Sequence, residues 1–150
     1  MSDRERVPEL LTEATTAALL QSAQMRAAHL LLTYDGELYP KDGCAITLSV
    51  LFQAAGIPVP NTYTAIELGR LLRKERGWQE VPLGQEQPGD VGSTCGESAQ
   101  HGVDHIYLVV KVVNKDEMLV ADNQAQYVHT RSLSGKPDSK SPTRFFLRAA

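Results

Sequence analysis

Cysteine is scarce in this chain: only Cys44 and Cys95 occur in 150 residues. Two cysteines are too few for the disulfide framework of a small secreted domain, although one bridge between them would mask whichever thiol had a chemical task. An excess of basic charge is missing too. Fifteen Lys and Arg stand against 18 Asp and Glu, a net charge of −3, which argues against a nucleic-acid partner, since phosphate binding needs clustered cations. Arg70, Arg73, Lys74 and Arg76 do gather, but Glu67 and Glu75 interleave with them, as on a solvated helix face. No apolar run reaches the roughly 20 residues of a membrane span, so no membrane partner is expected. The opening Met1-Ser2-Asp3-Arg4-Glu5-Arg6 lacks the hydrophobic stretch of a secretory signal, and synthesis in the cytoplasm is the expectation. Internal repeats and low-complexity tracts are also lacking. What remains is an ordinary globular composition, 42% apolar and 22% charged, in a length suited to one domain over residues 1–150.

Hydrophobic spacing predicts helices first. One should begin near Pro8, a good first-turn residue, and run to about Leu32, leaving residues 1–8 as a flexible N-terminus. Thr12, Thr15 and Thr16 are poor helix formers and mark a break within 9–16. After turn-rich Tyr34-Asp35-Gly36 and Tyr39-Pro40-Lys41-Asp42-Gly43, a strongly apolar helix is expected over 44–55, capped by Asp42 or Gly43 and stopped by Gly56 and Pro58. A third, amphipathic helix should cover 64–76. From Trp78 onward the pattern turns to strands. A turn at Gln87-Pro88-Gly89-Asp90 leads into a short strand, and 92–102 is a small-residue loop containing Cys95 and His101. Strands are expected over 105–113, 117–121, 127–132 and 143–148. Helices followed by an antiparallel sheet make an α+β fold.

Two positions in this layout carry chemistry. Cys44 falls in the first turn of the apolar helix, where unpaired backbone N–H groups and the helix dipole favour a thiolate and can bind an oxyanion. Asp42 nearby would oppose the thiolate, unless it is engaged in capping. His105 opens a strand after a Gly-rich loop, a place where a side chain is held yet reaches a cleft. Alternation puts His105, Tyr107, Val109 and Lys111 on one face, mixed in character, and Ile106, Leu108, Val110 and Val112 on the core face. An even turn after this strand places Asp122 and Gln124 on the His105 face, whereas an odd loop or a bulge brings Asn123 there. Each of the three can orient an imidazole, and Asp122 would also stabilise imidazolium. Taken singly, each residue has an ordinary explanation: a buried cysteine, a satisfied surface histidine, a strand-end turn.

Together the motifs are more specific. Asp42-Gly43-Cys44, then Pro88-Gly89-Asp90-Val91, then Asp104-His105-Ile106-Tyr107-Leu108-Val109 resembles the NlpC-type and CHAP cysteine peptidase/amidase superfamily over roughly residues 25–148. The resemblance implies a minimal papain-like fold, N-terminal helices with the cysteine helix packed on a C-terminal antiparallel sheet. It also implies Cys44 as nucleophile, His105 as base and Asp122 as the orienting residue, with no cofactor and no metal. Ala45-Ile46 stands where NlpC-type proteins commonly have Ser-Gly, and Tyr107 where they have a small residue. The implied substrate is an amide of peptidoglycan, in the stem peptide or at the sugar–peptide link, or another peptide. Such an enzyme would act in the periplasm or cell wall after phage lysis or dedicated secretion. A type VI secretion amidase effector is one such case, and would bring a cognate immunity protein as partner.

Three rivals remain at this level. Cys44, Cys95, His101 and His105 are the right residue types for zinc, although the glycines around them make the stretch a loop. A non-catalytic wall- or protein-binding module of the same fold is the second. An intracellular cysteine amidase or deamidase is the third.

Overall fold

A computed structural model describes residues 1–96, 104–136 and 140–150. Among them four helices precede six strands: α1 Asp3–Thr15, α2 Ala17–Asp35, α3 Cys44–Ala54, α4 Ala65–Lys74, β1 Gln79–Val81, β2 Val91–Ser93, β3 Ile106–Val112, β4 Glu117–Ala121, β5 His129–Ser132 and β6 Phe145–Arg148. The strands form one sheet in the order β1-β6-β2-β3-β4-β5, and every neighbouring pair is antiparallel. The α+β layout is therefore the one expected from the sequence.

The N-terminus differs from expectation. Residues 3–8 are not a flexible lead but the first turns of α1, begun by a Ser2 N-cap. The Glu5 N–H donates to Ser2 Oγ (3.2 Å), and the Ser2 hydroxyl donates to Glu5 Oε1 (3.1 Å). Asp3 is buried and accepts three bonds, from Arg76 Nε and Nη2 at 2.7 Å each and from Trp78 Nε1 at 2.8 Å. These partners lie more than 70 residues away along the chain, so no local pattern announces the anchor. Pro8 sits inside α1 rather than at its start. The break expected within 9–16 falls at Thr16 and divides the long helix into α1 and α2. Thr12 and Thr15 turn their hydroxyls back onto the carbonyls of Pro8 and Leu11, and Thr16 leaves the helical region at φ −83°, ψ 112°.

Helix α3 is the centre of the molecule. All residues from Cys44 to Phe52 are buried, and the helix packs on α1, α2, α4 and β3. Its Ile46, Leu48, Leu51 and Phe52 share a core with Ile106 and Leu108 of β3 and Leu147 of β6. The opposite sheet face is closed as well, rather than mixed. Tyr107 and Val109 join Val81, Met118, Val120 and Phe146 in a second, smaller core. Tyr107 fits because Gly92, paired with it across β2 and β3, has no side chain in the space its ring fills. Its hydroxyl is hydrogen-bonded with that of Thr143, and the Arg131 guanidinium lies 5.0 Å over its ring.

Replacing Asp3 by Ala strands a guanidinium and a buried indole N–H, and should lower the unfolding free energy by about 2 kcal/mol in urea titrations near neutral pH. The Arg76 hydrogen bonds hold the Asp3 carboxyl below its ordinary 3.8, against the opposing effect of burial. The stabilisation should therefore be complete above that value and fade as pH falls below it. A difference between wild type and variant that persists undiminished at about pH 2 would exclude the ion pair as its cause.

Candidate active site

Local backbone geometry fixes the start of α3. Asp42 adopts a left-handed φ of 56°, and Gly43 is the N-cap, with no side-chain cap bond there. Of the two expected caps, Gly43 is the one at the helix start, and Asp42 lines the adjoining cavity. A Cβ on Gly43 would lie 2.9 Å from the Tyr39 ring and 3.2 Å from the Pro40 carbonyl oxygen. Glycine at this point lets the loop close tightly and delivers Cys44 as the first helical residue.

Cys44 is 7% exposed. Burial pushes its thiol up to about 11, and the backbone hydrogen bonds from Ile106 and Ala45 pull the other way without cancelling the rise. Negative charge on Asp122 and Cys95 adds to it. The thiol therefore rests protonated near neutral pH, and the helix start does not win against desolvation.

His105 lies immediately ahead of β3 and is clamped through its backbone by Thr94. Its N–H donates to Thr94 Oγ1 at 2.8 Å, while its carbonyl accepts from the Thr94 N–H at 3.0 Å. The ring Nε2 is 2.8 Å from Asp122 Oδ2. Cys44 and His105 line the same open cavity of about 490 Å³, with Leu38, Pro40, Lys41 and Asp42 on one rim and Asn123 and Gln124 on the other.

Asp122 reaches His105 by a cancellation of parities. Five residues, 113–117, separate the paired Val112 and Met118, an odd spacing that includes the first residue of β4. A bulge between Val109 and Lys111 then shifts the register, so that Leu108 faces Ala121. Continued one step, this register sets Asp122 beside Tyr107, on the His105 face. An odd loop or a bulge acting alone would have brought Asn123 there, and acting together they restore Asp122. Asn123 instead donates from Nδ2 to the Pro40 carbonyl at 2.5 Å, tying the cavity's two rims together. The Gln124 side chain accepts from Lys140 Nζ at 3.4 Å, and its backbone N–H donates to Asp122 Oδ1 at 2.8 Å.

Asp122 is fully buried and has a second histidine. His129 Nε2 is 2.8 Å from Oδ1. An ionised carboxylate only accepts, so both imidazoles donate to it. Burial raises the Asp122 carboxyl, but the hydrogen bonds and charges of His105 and His129 outweigh that and hold it well below the usual carboxylate range. From α2, Gln24 Nε2 donates to the backbone carbonyls of Asp122 (2.9 Å) and Ala125 (2.7 Å), fixing the turn.

Neither His129 nor Gln24 was singled out from the sequence. Gln24 did leave a signal, as a polar residue on the apolar face carrying Leu20, Ala23, Ala27 and Leu31. His129 faces Val120 across β4 and β5, diagonal to Asp122, which pairing of the two predicted strands would have revealed. Of the proposed zinc ligands, Cys95 lines a different cavity, against α4 and Phe145, and His101 lies outside the described residues. Among the described residues no group of three or more His, Cys, Asp or Glu side chains is arranged to hold a metal ion, both cysteines are free thiols, and no helix is long and apolar enough to cross a membrane. No protein-family model matches the chain, and no curated protein matches it.

In a Cys95→Ser background, alkylation of Cys44 by iodoacetamide should accelerate about tenfold per pH unit from pH 7 to 9, the behaviour of a thiol that titrates near 11. A rate already level at neutral pH would mean that Cys44 stands as a thiolate.

Proposed function

We propose that the chain is a cysteine hydrolase of minimal papain-like type, related to the NlpC and CHAP amidases, which cleaves an amide bond of peptidoglycan. The observation that carries this reading is one cavity lined by both Cys44, at the head of α3, and His105, whose ring is braced from behind by Asp122. The substrate carbonyl enters beside Cys44. Because the thiol rests protonated, His105 removes its proton as sulfur attacks the carbonyl carbon, rather than holding a standing ion pair. With Nε2 committed to Asp122, Nδ1 is the nitrogen that receives this proton. The backbone N–H of Cys44, at the dipole-positive end of α3, is a donor for the oxyanion of the tetrahedral intermediate.

Collapse of that intermediate breaks the C–N bond, and His105 protonates the departing amine. The acyl group stays on Cys44 as a thioester. His105 next takes a proton from water, whose oxygen attacks the thioester to release a carboxylic acid and restore the thiol. Asp122 remains ionised throughout and stabilises the imidazolium. The polar rim, with Lys41, Asp42, Asp104 and Gln124, suits a charged peptide better than an apolar ligand. The resemblance of the motifs selects peptidoglycan stem peptides or the sugar–peptide link, with action in the periplasm or cell wall.

Digestion of purified peptidoglycan by wild type and Cys44→Ala, read by mass spectrometry, tests the proposal. Wild type should release new amine and carboxyl ends, with at least a ~10³-fold loss in the variant. Equal release from both ends the nucleophile assignment. No release from either, with the protein still sedimenting with peptidoglycan, replaces the enzyme by a wall-binding module.

A further inference from the structure

The site holds one histidine more than the chemistry above employs. His129 opens β5, a strand that does not touch the cavity, and its side chain keeps 21% exposure. Its Nε2 nevertheless ends 2.8 Å from Oδ1 of a carboxylate with no exposed surface. The two Asp122 oxygens are divided between tasks. Oδ2 takes the His105 N–H alone among the described bonds, whereas Oδ1 takes the His129 N–H and the Gln124 backbone N–H. A carboxylate held by one histidine only could swing about its Cα–Cβ and Cβ–Cγ bonds. Fastened at Oδ1 from two directions, it presents Oδ2 at a fixed distance and angle.

We propose that His129 is a positioning residue for the hydrolytic site, acting through Asp122 to fix the orientation and tautomer of His105. This rests on the hydrolase reading, since it assigns His129 a task in that reaction. A proton kept on Nε2 of His105 leaves the lone pair on Nδ1, the form a base needs. His129 also draws off part of the negative field of Asp122. The groups that sense this carboxylate from the elements around it are His105 before β3, His129 on β5, Cys44 on α3 and Tyr39 in the loop before α3, while α2 contributes the neutral Gln24. Removing His129 leaves Oδ1 held by the Gln124 backbone N–H alone, so the carboxylate can turn and no longer fixes which nitrogen of His105 carries the proton.

His129→Leu removes the donor, and His129→Gln returns an N–H at a similar reach. On peptidoglycan, His129→Leu should lower kcat about tenfold with KM unchanged. His129→Gln should recover most of kcat. Side-chain ¹⁵N NMR of His105 reads the same coupling without substrate: wild type should show the proton on Nε2 alone, and His129→Leu a mixture of tautomers. Unchanged His105 signals in a folded His129→Leu protein would overturn the proposal. So would a loss in His129→Leu that falls on KM. If His129→Leu does not fold, His129→Gln decides: full loss of kcat with an unaltered His105 spectrum rejects the role. Altered spectra in a protein that cleaves nothing in peptidoglycan would keep the coupling while rejecting the hydrolase assignment, so the two failures are distinct.

Discussion

An ionised carboxylate removed from water costs several kcal/mol unless donors surround it, and Asp122 meets that condition at the centre of the site. Its donors come from separate parts of the fold: His105 ahead of β3, His129 on β5 and the backbone of Gln124 in the turn. Gln24 of α2 holds the same turn by its carbonyls. Burial that would otherwise neutralise the group thus becomes the means of locking sheet, turn and helix to one another. Loss of any one donor leaves charge unsatisfied in a dry place, so the site's geometry is specified more sharply than packing of apolar side chains alone would specify it.

That arrangement depends in turn on one extra residue in β3. Side chains alternate between faces, so a register error of one would send Asp122 toward the helices and Asn123 toward His105. The odd spacing between the paired Val112 and Met118 makes that error, and the bulge near Val110 corrects it. Tyr107 shows the same coupling of local and global choice. A large ring there is compatible with the sheet because Gly92 faces it and Thr143 meets its hydroxyl.

Cys44, His105 and Asp122 were legible because their signals are short-range: Gly43 before an apolar helix, an alternating strand, and a hairpin whose partner strand is close in sequence. Parity alone left Asp122, Gln124 and Asn123 open, and the preference for Asp122 came from its ability to stabilise imidazolium; the structure does set Asp122 against His105, through a loop and a bulge that were each expected to bring Asn123 there. The anchor at Asp3 was not legible, since its meaning lies with Arg76 and Trp78. His129 escaped for a similar reason: its partner is diagonal across a strand pair, and no residue adjacent to it marks it as special. Of the two caps expected, Gly43 is the one that stands at the helix start, after a left-handed turn at Asp42.

The resting state of Cys44 decides how these parts must divide the chemistry. A helix N-terminus contributes about 0.3–1 kcal/mol toward a thiolate at a typical site. Burial, with the nearby negative charges, outweighs the backbone hydrogen bonds and pushes the thiol up to about 11. Desolvation wins, so the sulfur waits as a thiol and cannot supply its own activation. In the proposed reaction the burden passes to His105, which must be neutral, correctly protonated and correctly aimed when the substrate arrives. An imidazole satisfies those three conditions only if its far nitrogen is held by a fixed acceptor. That acceptor is Asp122, and its fixity comes from His129, Gln124 and the register of β3 and β4. The more deeply the nucleophile is buried, the more exactingly the groups behind its base have to be placed.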